Sequence, residues 1–190
     1  YWKIPASIVA RDIVPKYLED PNYLRANFIR VFDGVDGPEI DPTFIDWTMT
    51  DPERYFFRQE PGQHNSLGSV KINFPNEFMV YMHDTPNKQL FAEEVRAFSH
   101  GCVRTDDAIG YAATLLEGVM TREQVDAIVA SGVTTTVSLA KPLPVYVAYF
   151  TATANTAGGV DIHPDVYGRD GRIAVAARGQ TGSQTECALT

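Results

Sequence analysis

The chain has 190 residues, a formal net charge of −8, 44% hydrophobic residues and two cysteines. This length is enough for one domain with a sizeable core, and two cysteines cannot form a disulfide framework. The acidic charge argues against nucleic acid and against anionic membrane surfaces, because both require clustered Lys and Arg. No apolar run approaches the roughly 18 residues of a membrane-spanning helix.

Apolar residues at helical spacing within the first 20 residues predict a helix that forms in pieces. Pro15 should interrupt or kink this helix, and Asp20-Pro21 should end it. Residues 1–5 do not begin with Met and show no basic segment followed by an apolar one, so they do not form a signal peptide. We therefore expect a targeting segment upstream of this chain.

Short strands and turns follow up to residue 60. The alternation over 28–32 and the aromatic run Tyr55-Phe56-Phe57 each predict a strand, and Asp41-Pro42 predicts a capped helical turn. Because periodic patterns are weak here, we interpret residues 1–60 as a capping (lid) subdomain. An ordinary irregular α+β segment is the alternative.

From residue 61 the pattern changes to strands that alternate with polar loops. Residues 70–74 alternate and predict a half-buried strand. The apolar run over 78–82 predicts a central strand buried on both faces, and its end delivers His83. A polar loop then leads to Ser99-His100-Gly101-Cys102-Val103-Arg104.

Two helices follow this segment. Thr105 is the expected N-cap of the first, which should end at Gly118. Thr121 to Gln124 form a capping box for the second, which should stop at Gly132. Further strands are predicted over 134–139, over 144–151 and, as an edge strand, over 161–167. We expect a mainly β (α+β) fold with two or three helices, divided into residues 1–60, a core over 61–168 and a mobile tail over 169–190.

Cys102 has the sequence surroundings of a reactive thiol. It lies three residues before the expected helix N-terminus, whose dipole favours an anion, and Arg104 is close in sequence. Gly101 permits a sharp turn that can aim successive backbone N–H groups at one oxygen, as an oxyanion hole requires. These features indicate covalent acyl transfer through a thioester.

Two histidines are candidates for the base. His100 is two residues from Cys102 and would share its face in an extended segment, whereas His83 precedes Cys102 by 19 residues (102 − 83 = 19). Spacing alone does not choose between them. A zinc site formed by these three residues with Asp84 is a rival interpretation, although the spacing matches no standard zinc finger.

Two linked segments carry a family resemblance. His83-Asp84-Thr85-Pro86, followed by 96–104, resembles the signature of the L,D-transpeptidases with a YkuD-type catalytic domain. The resemblance is strongest to larger Gram-negative cross-linking members with a capping subdomain, and residues 1–5, 12–16 and 61–68 agree with that branch. It extends over about residues 1–168. It implies a β-sandwich or barrel core, with no metal or other cofactor.

The resemblance also implies roles for individual residues. His83 matches the general base, Cys102 the acylated nucleophile, and Asp84 the position whose backbone carbonyl orients the imidazole. Gly101 and Cys102 match the backbone donors of the oxyanion hole. The other expected site residues are Ser99 and His100, which shape the site, and Arg104, Tyr81 and Asn65, which bind substrate.

The implied reaction is acyl transfer between peptidoglycan stem peptides. Cys102 would attack the diaminopimelate carbonyl of a donor tetrapeptide and release D-Ala, and an amine of a second stem would then complete a 3→3 cross-link. The alternatives are an L,D-carboxypeptidase, in which water is the acceptor, and a non-catalytic cell-wall-binding module. The family further implies a periplasmic location and acylation by carbapenem β-lactams.

Two departures from the family pattern concern the ends of the chain. The family has β-strands upstream of the position of Tyr1, so we expect a further segment of the same precursor to complete the fold. Cys187 is expected to be an ordinary tail residue, although a disulfide with Cys102 would silence the enzyme.

Overall fold

The computed structural model of the chain describes residues 1–172. The described residues form two compact units, one comprising 1–93 with 98–143 and the other comprising 94–97 with 144–172. The division at residues 60 and 168 stays a prediction, because units defined by contacts need not coincide with functional modules. The predicted mobile tail lies outside the described residues from position 173, as does Cys187.

Helical pieces dominate the first 26 residues. They are α1 (Ala6–Ile8), a π-helical turn (Val9–Ile13), α2 (Val14–Glu19) and α3 (Tyr23–Ala26). Pro15 lies at the start of α2, where it needs no N–H partner, and its ring would crowd the carbonyl four residues earlier in a regular helix. The wider π turn lies where that crowding would occur. The predicted interruption at Pro15 and the end before Pro21 are confirmed.

A four-stranded antiparallel sheet packs on these helical pieces. Its strands are β1 (Trp2–Lys3), β2 (Ile29–Phe32), β3 (Glu39–Ile40) and β4 (Phe56–Gln59), in the order β1-β4-β2-β3. The strands predicted over 28–32 and 55–57 are confirmed. The buried core consists of Ile4, Val9, Ile13, Val14, Tyr17, Leu24, Ile29, Val31, Trp47 and Phe57.

Two single 3₁₀ turns, Pro42–Phe44 and Pro52–Arg54, connect the later strands of this sheet. The predicted cap at Asp41 is confirmed, because its carboxylate accepts a hydrogen bond from the Thr43 N–H. The indole of Trp47 donates to the Pro42 carbonyl at 3.0 Å. These contacts close the first sheet and its helices around one core.

A second sheet contains three two-residue strands, β5 (Lys71–Ile72), β6 (Met82–His83) and β7 (Val103–Arg104). β5 pairs antiparallel with β6, and β6 pairs parallel with β7. The strands predicted over 70–74 and 78–82 are therefore too long. The reason is Asn76, whose side chain donates to the carbonyls of Phe74 and Val80 and accepts from the N–H groups of Phe78 and Val80. This amide ties residues 74–80 into a turn.

The helix after β7 is α4 (Ala108–Leu115), and its cap differs from the prediction. Asp107 caps it by accepting a hydrogen bond from the Gly110 N–H at 2.8 Å. The Thr105 N–H instead donates to the His83 carbonyl, so this residue continues the β6–β7 ladder. A sequence pattern typical of a helix cap does not show whether the same residue already belongs to a strand.

Helix α5 (Arg122–Ser131) confirms both of its predicted ends. The capping box joins Thr121 and Gln124 reciprocally, and Gly132 adopts a left-handed φ of 67° at the C-terminal end. A left-handed residue at this position closes helices frequently, and glycine adopts it without a steric penalty.

The strands predicted over 134–139 and 144–151 are absent from the described structure, where both stretches are irregular. An alternating apolar pattern predicts that one face of a strand can be buried, but it does not provide the partner strand with which the backbone must pair. The second unit instead contains a hairpin of β8 (Ala152–Ala154) and β9 (Val160–Ile162). The edge strand predicted over 161–167 is shorter, because Asp165 accepts hydrogen bonds from the N–H groups of Arg169 and Asp170 and forms a turn.

The fold class is α+β, as predicted, with antiparallel and mixed sheets. Of the five α-helices within residues 1–169, only α4 and α5 exceed six residues. None of the helices within residues 1–172 is long and apolar enough to cross a membrane.

Phe57 provides a test of the first core. Its side chain is 1% exposed, so Phe57→Ala should lower the free energy of unfolding by about 3–5 kcal/mol. Denaturant titration measures this change. Phe44 is 86% exposed, and Phe44→Ala should change the stability by less than about 0.5 kcal/mol. Equal losses in the two variants would contradict the assignment of the core.

Candidate active site

The parallel pairing of β6 with β7 brings the central residues together. Met82 pairs with Val103 and His83 with Arg104. The Val103 N–H donates to the Tyr81 carbonyl at 3.0 Å, so the register continues to Tyr81 beside Cys102. Side chains two residues apart on a strand point to the same face. Tyr81 and His83 therefore share a face with Cys102 and Arg104.

His83 is buried and oriented by the residue that follows it. Its imidazole Nδ1–H donates to the Asp84 backbone carbonyl, which leaves Nε2 available as an acceptor. Burial is the main cause that lowers its pKa below the usual value, and the positive charges of Arg104 and Lys71 lower it further. The hydrogen bond and charge of Asp84 oppose this shift. The imidazole is therefore kept in its neutral, proton-accepting form.

The Asp84 carboxylate faces away from that bond and organises the surrounding loops. It accepts hydrogen bonds from the Ser69 N–H at 2.8 Å and the Lys88 ammonium at 2.7 Å. A Cβ at Gly68 would lie 2.3 Å from this carboxylate, so the close approach requires glycine. Burial raises the Asp84 pKa, but the hydrogen bonds from Lys88, Ser69 and Thr85 outweigh it, and the net pKa is lowered. Asp84 therefore stays ionised.

Cys102 is a half-buried free thiol in contact with Tyr81. The pKa of Tyr81 is raised to about 12, first by burial and then by the charge of Cys102 and the hydrogen bond to it. A hydrogen bond from the Trp2 indole opposes this shift. The Tyr81 ring also lies 4.0 Å from the Lys71 ammonium and 5.8 Å, centroid to centroid, from the His83 ring. Tyr81 thus contacts both the thiol and the imidazole.

The turn before the thiol depends on Gly101, whose φ of 135° is rarely adopted by other residues. Its N–H donates to the Ser99 hydroxyl oxygen at 3.1 Å. Gly101, expected to donate to an oxyanion, is therefore bound to Ser99, which was expected to shape the site. An oxyanion would have to replace the Ser99 hydroxyl before the Gly101 N–H could bind it.

His100 faces the helical pieces at the start of the chain. Its Nε2 lies 3.1 Å from an Asp12 carboxylate oxygen and also contacts the Arg11 guanidinium. The two histidines that spacing could not separate thus have different surroundings. The His83 side chain lies on the same face of the sheet as the Cys102 thiol. The Nε2 atom of His100 instead contacts residues of the π turn.

Two residues expected to bind substrate have contrasting environments. The Arg104 Nε is buried, and no acceptor within residues 1–172 binds it. The Asn65 side chain is buried and donates to the carbonyls of Gln59 and Glu60 while accepting from the Leu67 N–H. Asn65 therefore holds its own loop together, which differs from the substrate contact expected from sequence.

Sequence reasoning missed several contributors to this site. Trp2, Lys71 and Lys88 were not candidates, although each contacts Tyr81 or Asp84. The spacing of Lys88, four residues after Asp84, was an available signal for a charge pair. The contacts of Trp2 and Lys71 depend on strand pairing and left no local signal. Within residues 1–172, no group of three or more His, Cys, Asp or Glu side chains could hold a metal ion.

Comparison with known proteins identifies the family. The model of the YkuD L,D-transpeptidase catalytic domain matches residues 1–138, which is more than half of the chain. The chain belongs to the YkuD L,D-transpeptidase family. The L,D-transpeptidase domain is also 36% identical, over 177 residues, to a Haemophilus influenzae protein named "Putative L,D-transpeptidase". This match covers 92% of the chain but only 36% of that protein, so the chain spans about a third of the relative's length.

The surroundings of His83 lead to a test by titration. We expect the imidazole to titrate with a midpoint below about 6.5, because burial and nearby cations disfavour its charged form. Folding lowers this pKa, so the stability that His83 contributes is present above the unfolded pKa and is lost as pH falls through the folded pKa. NMR of the imidazole C–H signals, assigned with His83→Gln, measures the midpoint. A midpoint above 6.5 would contradict this account.

Proposed function

We propose that this L,D-transpeptidase domain forms 3→3 cross-links between peptidoglycan stem peptides through a thioester on Cys102. One observation supports this proposal most directly. The β6–β7 register puts an oriented, neutral imidazole on the same face as a free thiol, in a chain of this family. An imidazole base and a thiol nucleophile are the groups that covalent acyl transfer requires.

The first half-reaction forms the acyl-enzyme. His83 Nε2 takes the thiol proton, and Cys102 Sγ attacks the diaminopimelate carbonyl of a donor tetrapeptide. The tetrahedral intermediate collapses as the C–N bond breaks, and the imidazolium returns the proton to the leaving D-Ala amine. The products are the thioester and free D-Ala.

The second half-reaction transfers the acyl group. The side-chain amine of a second stem attacks the thioester carbonyl and loses a proton to His83. The C–S bond then breaks, and the thiolate recovers that proton from the imidazolium. The new amide is the 3→3 cross-link. Water in place of the amine would give a tripeptide, which is the product of an L,D-carboxypeptidase.

Backbone and cationic donors supply the remaining interactions. We assign the developing oxyanion to the N–H groups of Cys102 and Gly101, with Ser99 holding the Gly101 N–H before substrate arrives. The buried Arg104 Nε is an unsatisfied donor, and a substrate carboxylate would satisfy it by a charge-assisted hydrogen bond. His100 holds the turn through Asp12.

The location and the lid belong to the same proposal. Peptidoglycan stems are cross-linked outside the cytoplasmic membrane, so we propose a periplasmic location for the enzyme. We further propose that residues 1–60 cap the substrate cleft. Support for this role comes from two contacts of the early residues, those of Asp12 with His100 and of Trp2 with Tyr81.

Product analysis tests the chemistry. Incubation of the full-length protein with tetrapeptide muropeptides should give cross-linked dimers and D-Ala, and Cys102→Ala should give neither. His83→Gln should reduce dimer formation by at least roughly 100-fold, because it removes the base. Cys187→Ala serves as the matched cysteine control and should remain active. Formation of dimers by Cys102→Ala would contradict the proposal. Formation of tripeptides without dimers by the wild-type protein would indicate the carboxypeptidase.

Thiol acylation provides a second test. A carbapenem such as meropenem should add to Cys102 through opening of its β-lactam ring, so the intact mass should increase by one drug molecule. Cys102→Ala should show no increase. An unmodified wild-type protein whose thiol still reacts with iodoacetamide would argue for the non-catalytic wall-binding module.

A further inference from the structure

The parallel pair that aligns the base with the nucleophile is short. Each of the strands β6 and β7 has two residues, and the backbone hydrogen bonds at the two ends of the pair run from the Val103 N–H to the Tyr81 carbonyl and from the Thr105 N–H to the His83 carbonyl. Parallel ladders of this length are weak on their own. The position of His83 relative to Cys102 therefore needs support from outside the ladder.

Lys88 lies where such support is required. It begins the 3₁₀ turn Lys88–Ala92, in the loop that runs from the base to the nucleophile. Its ammonium donates to an Asp84 carboxylate oxygen at 2.7 Å, to the Thr105 carbonyl at 3.3 Å and to the Asp106 carbonyl. An ammonium has three donors, and all three are used here.

These three acceptors belong to two different segments. Asp84 follows the base at the end of β6, whereas Thr105 and Asp106 follow the end of β7. The Asp84 side chain is only 13% exposed, so its contact with Lys88 is shielded more than a surface ion pair. Hydrogen bonds to a charged donor are also shorter and stronger than neutral ones.

We propose that Lys88 is a positioning residue whose ammonium clamps the end of β6 to the end of β7 and thereby fixes His83 against Cys102. The proposal rests on the thiol chemistry proposed above. Lys88 acts through Asp84, whose carbonyl orients the imidazole, and touches neither the thiol nor the base. Without the clamp the two strand ends can separate, and misplacement of a reacting group by 1 Å can cost roughly 100-fold in rate.

The clamp also has an electrostatic consequence. The charged groups that act on His83 are Arg104 and Lys71, which lower its pKa, and Asp84, which raises it. The neighbouring titratable side chains are Tyr81 and Cys102. The Lys88 ammonium forms an ion pair with the ionised Asp84 carboxylate and compensates its negative charge. Removing Lys88 therefore leaves an uncompensated negative charge beside the imidazole, and the pKa of His83 should rise.

The test compares Lys88→Met with Lys88→Arg in the full-length protein. The measurement is the rate of Cys102 acylation by meropenem as a function of pH, together with thermal melting. Lys88→Met should slow acylation at neutral pH by roughly 10-fold or more, and the acidic limb of the profile should move to higher pH. Lys88→Arg keeps the charge and should keep the wild-type midpoint, with a smaller loss of rate because its planar fork fits the three acceptors less well.

Lys141→Met is the matched control, since Lys141 is an exposed lysine away from both strands, and it should leave rate and midpoint unchanged. A normal rate and midpoint in Lys88→Met would overturn the proposal. A lowered melting temperature with an unshifted midpoint would also overturn it, because it would indicate a general structural role.

The titration of His83 by NMR separates this proposal from the proposed function. If the wild-type thiol is not acylated although it remains reactive toward iodoacetamide, the proposed function fails. The His83 midpoint should still rise in Lys88→Met and stay in place in Lys88→Arg. Identical midpoints in all variants would then count against Lys88 independently of the chemistry.

Discussion

The short backbone ladder between β6 and β7 determines the geometry of the whole site. It sets the register in which Tyr81 and His83 lie beside Cys102 and Arg104. A slip of one residue would turn either set of side chains to the opposite face of the sheet. The loops and charges around these strands are therefore best understood as restraints on this register.

The charge near this register has a sign opposite to that of the chain. The protein carries a net charge of −8, yet Arg104 and Lys71 lie close enough to the imidazole to lower its pKa, and Lys88 pairs with the adjacent Asp84. Burial is the main cause that keeps His83 neutral, the charges of Arg104 and Lys71 add to it, and the ionised Asp84 opposes it. The proposed substrates, peptidoglycan stem peptides, carry several carboxylates, so cations at this position on an acidic protein would concentrate the attraction at the proposed site of reaction.

Local sequence signals predicted those features that depend on neighbouring residues. The strands at 28–32 and 55–57, the capping box at Thr121 and the placement of His83 on a strand all followed from short patterns. Two of the predictions that were wrong share one physical cause. At Asn76 and Asp107, a side chain binds backbone groups that the pattern had assigned to a strand or to another cap, and such competition is decided by geometry.

The candidate site shows the same limit. The motif around Cys102 identified the thiol and its family, but not the partner of His100, because Asp12 is distant in sequence. Asn65 lies in a motif that resembles the family, yet its buried amide is satisfied by its own loop. A sequence pattern indicates which residue types a site needs, whereas the direction in which each side chain points depends on the packing of the chain.

The π turn over Val9–Ile13 makes the nucleophile turn sensitive to length at a remote position. His100 contacts Arg11 and Asp12, which precede it by 89 and 88 residues (100 − 11 = 89; 100 − 12 = 88), and each hydrogen bond of the π turn spans one residue more than in an α-helix. Deletion of one residue there would rotate whatever follows by about 100°, and Asp12 would leave the side of the helix that faces His100. Related chains can therefore exchange exposed residues along this helix, but a change in its length should require a compensating change beside the thiol.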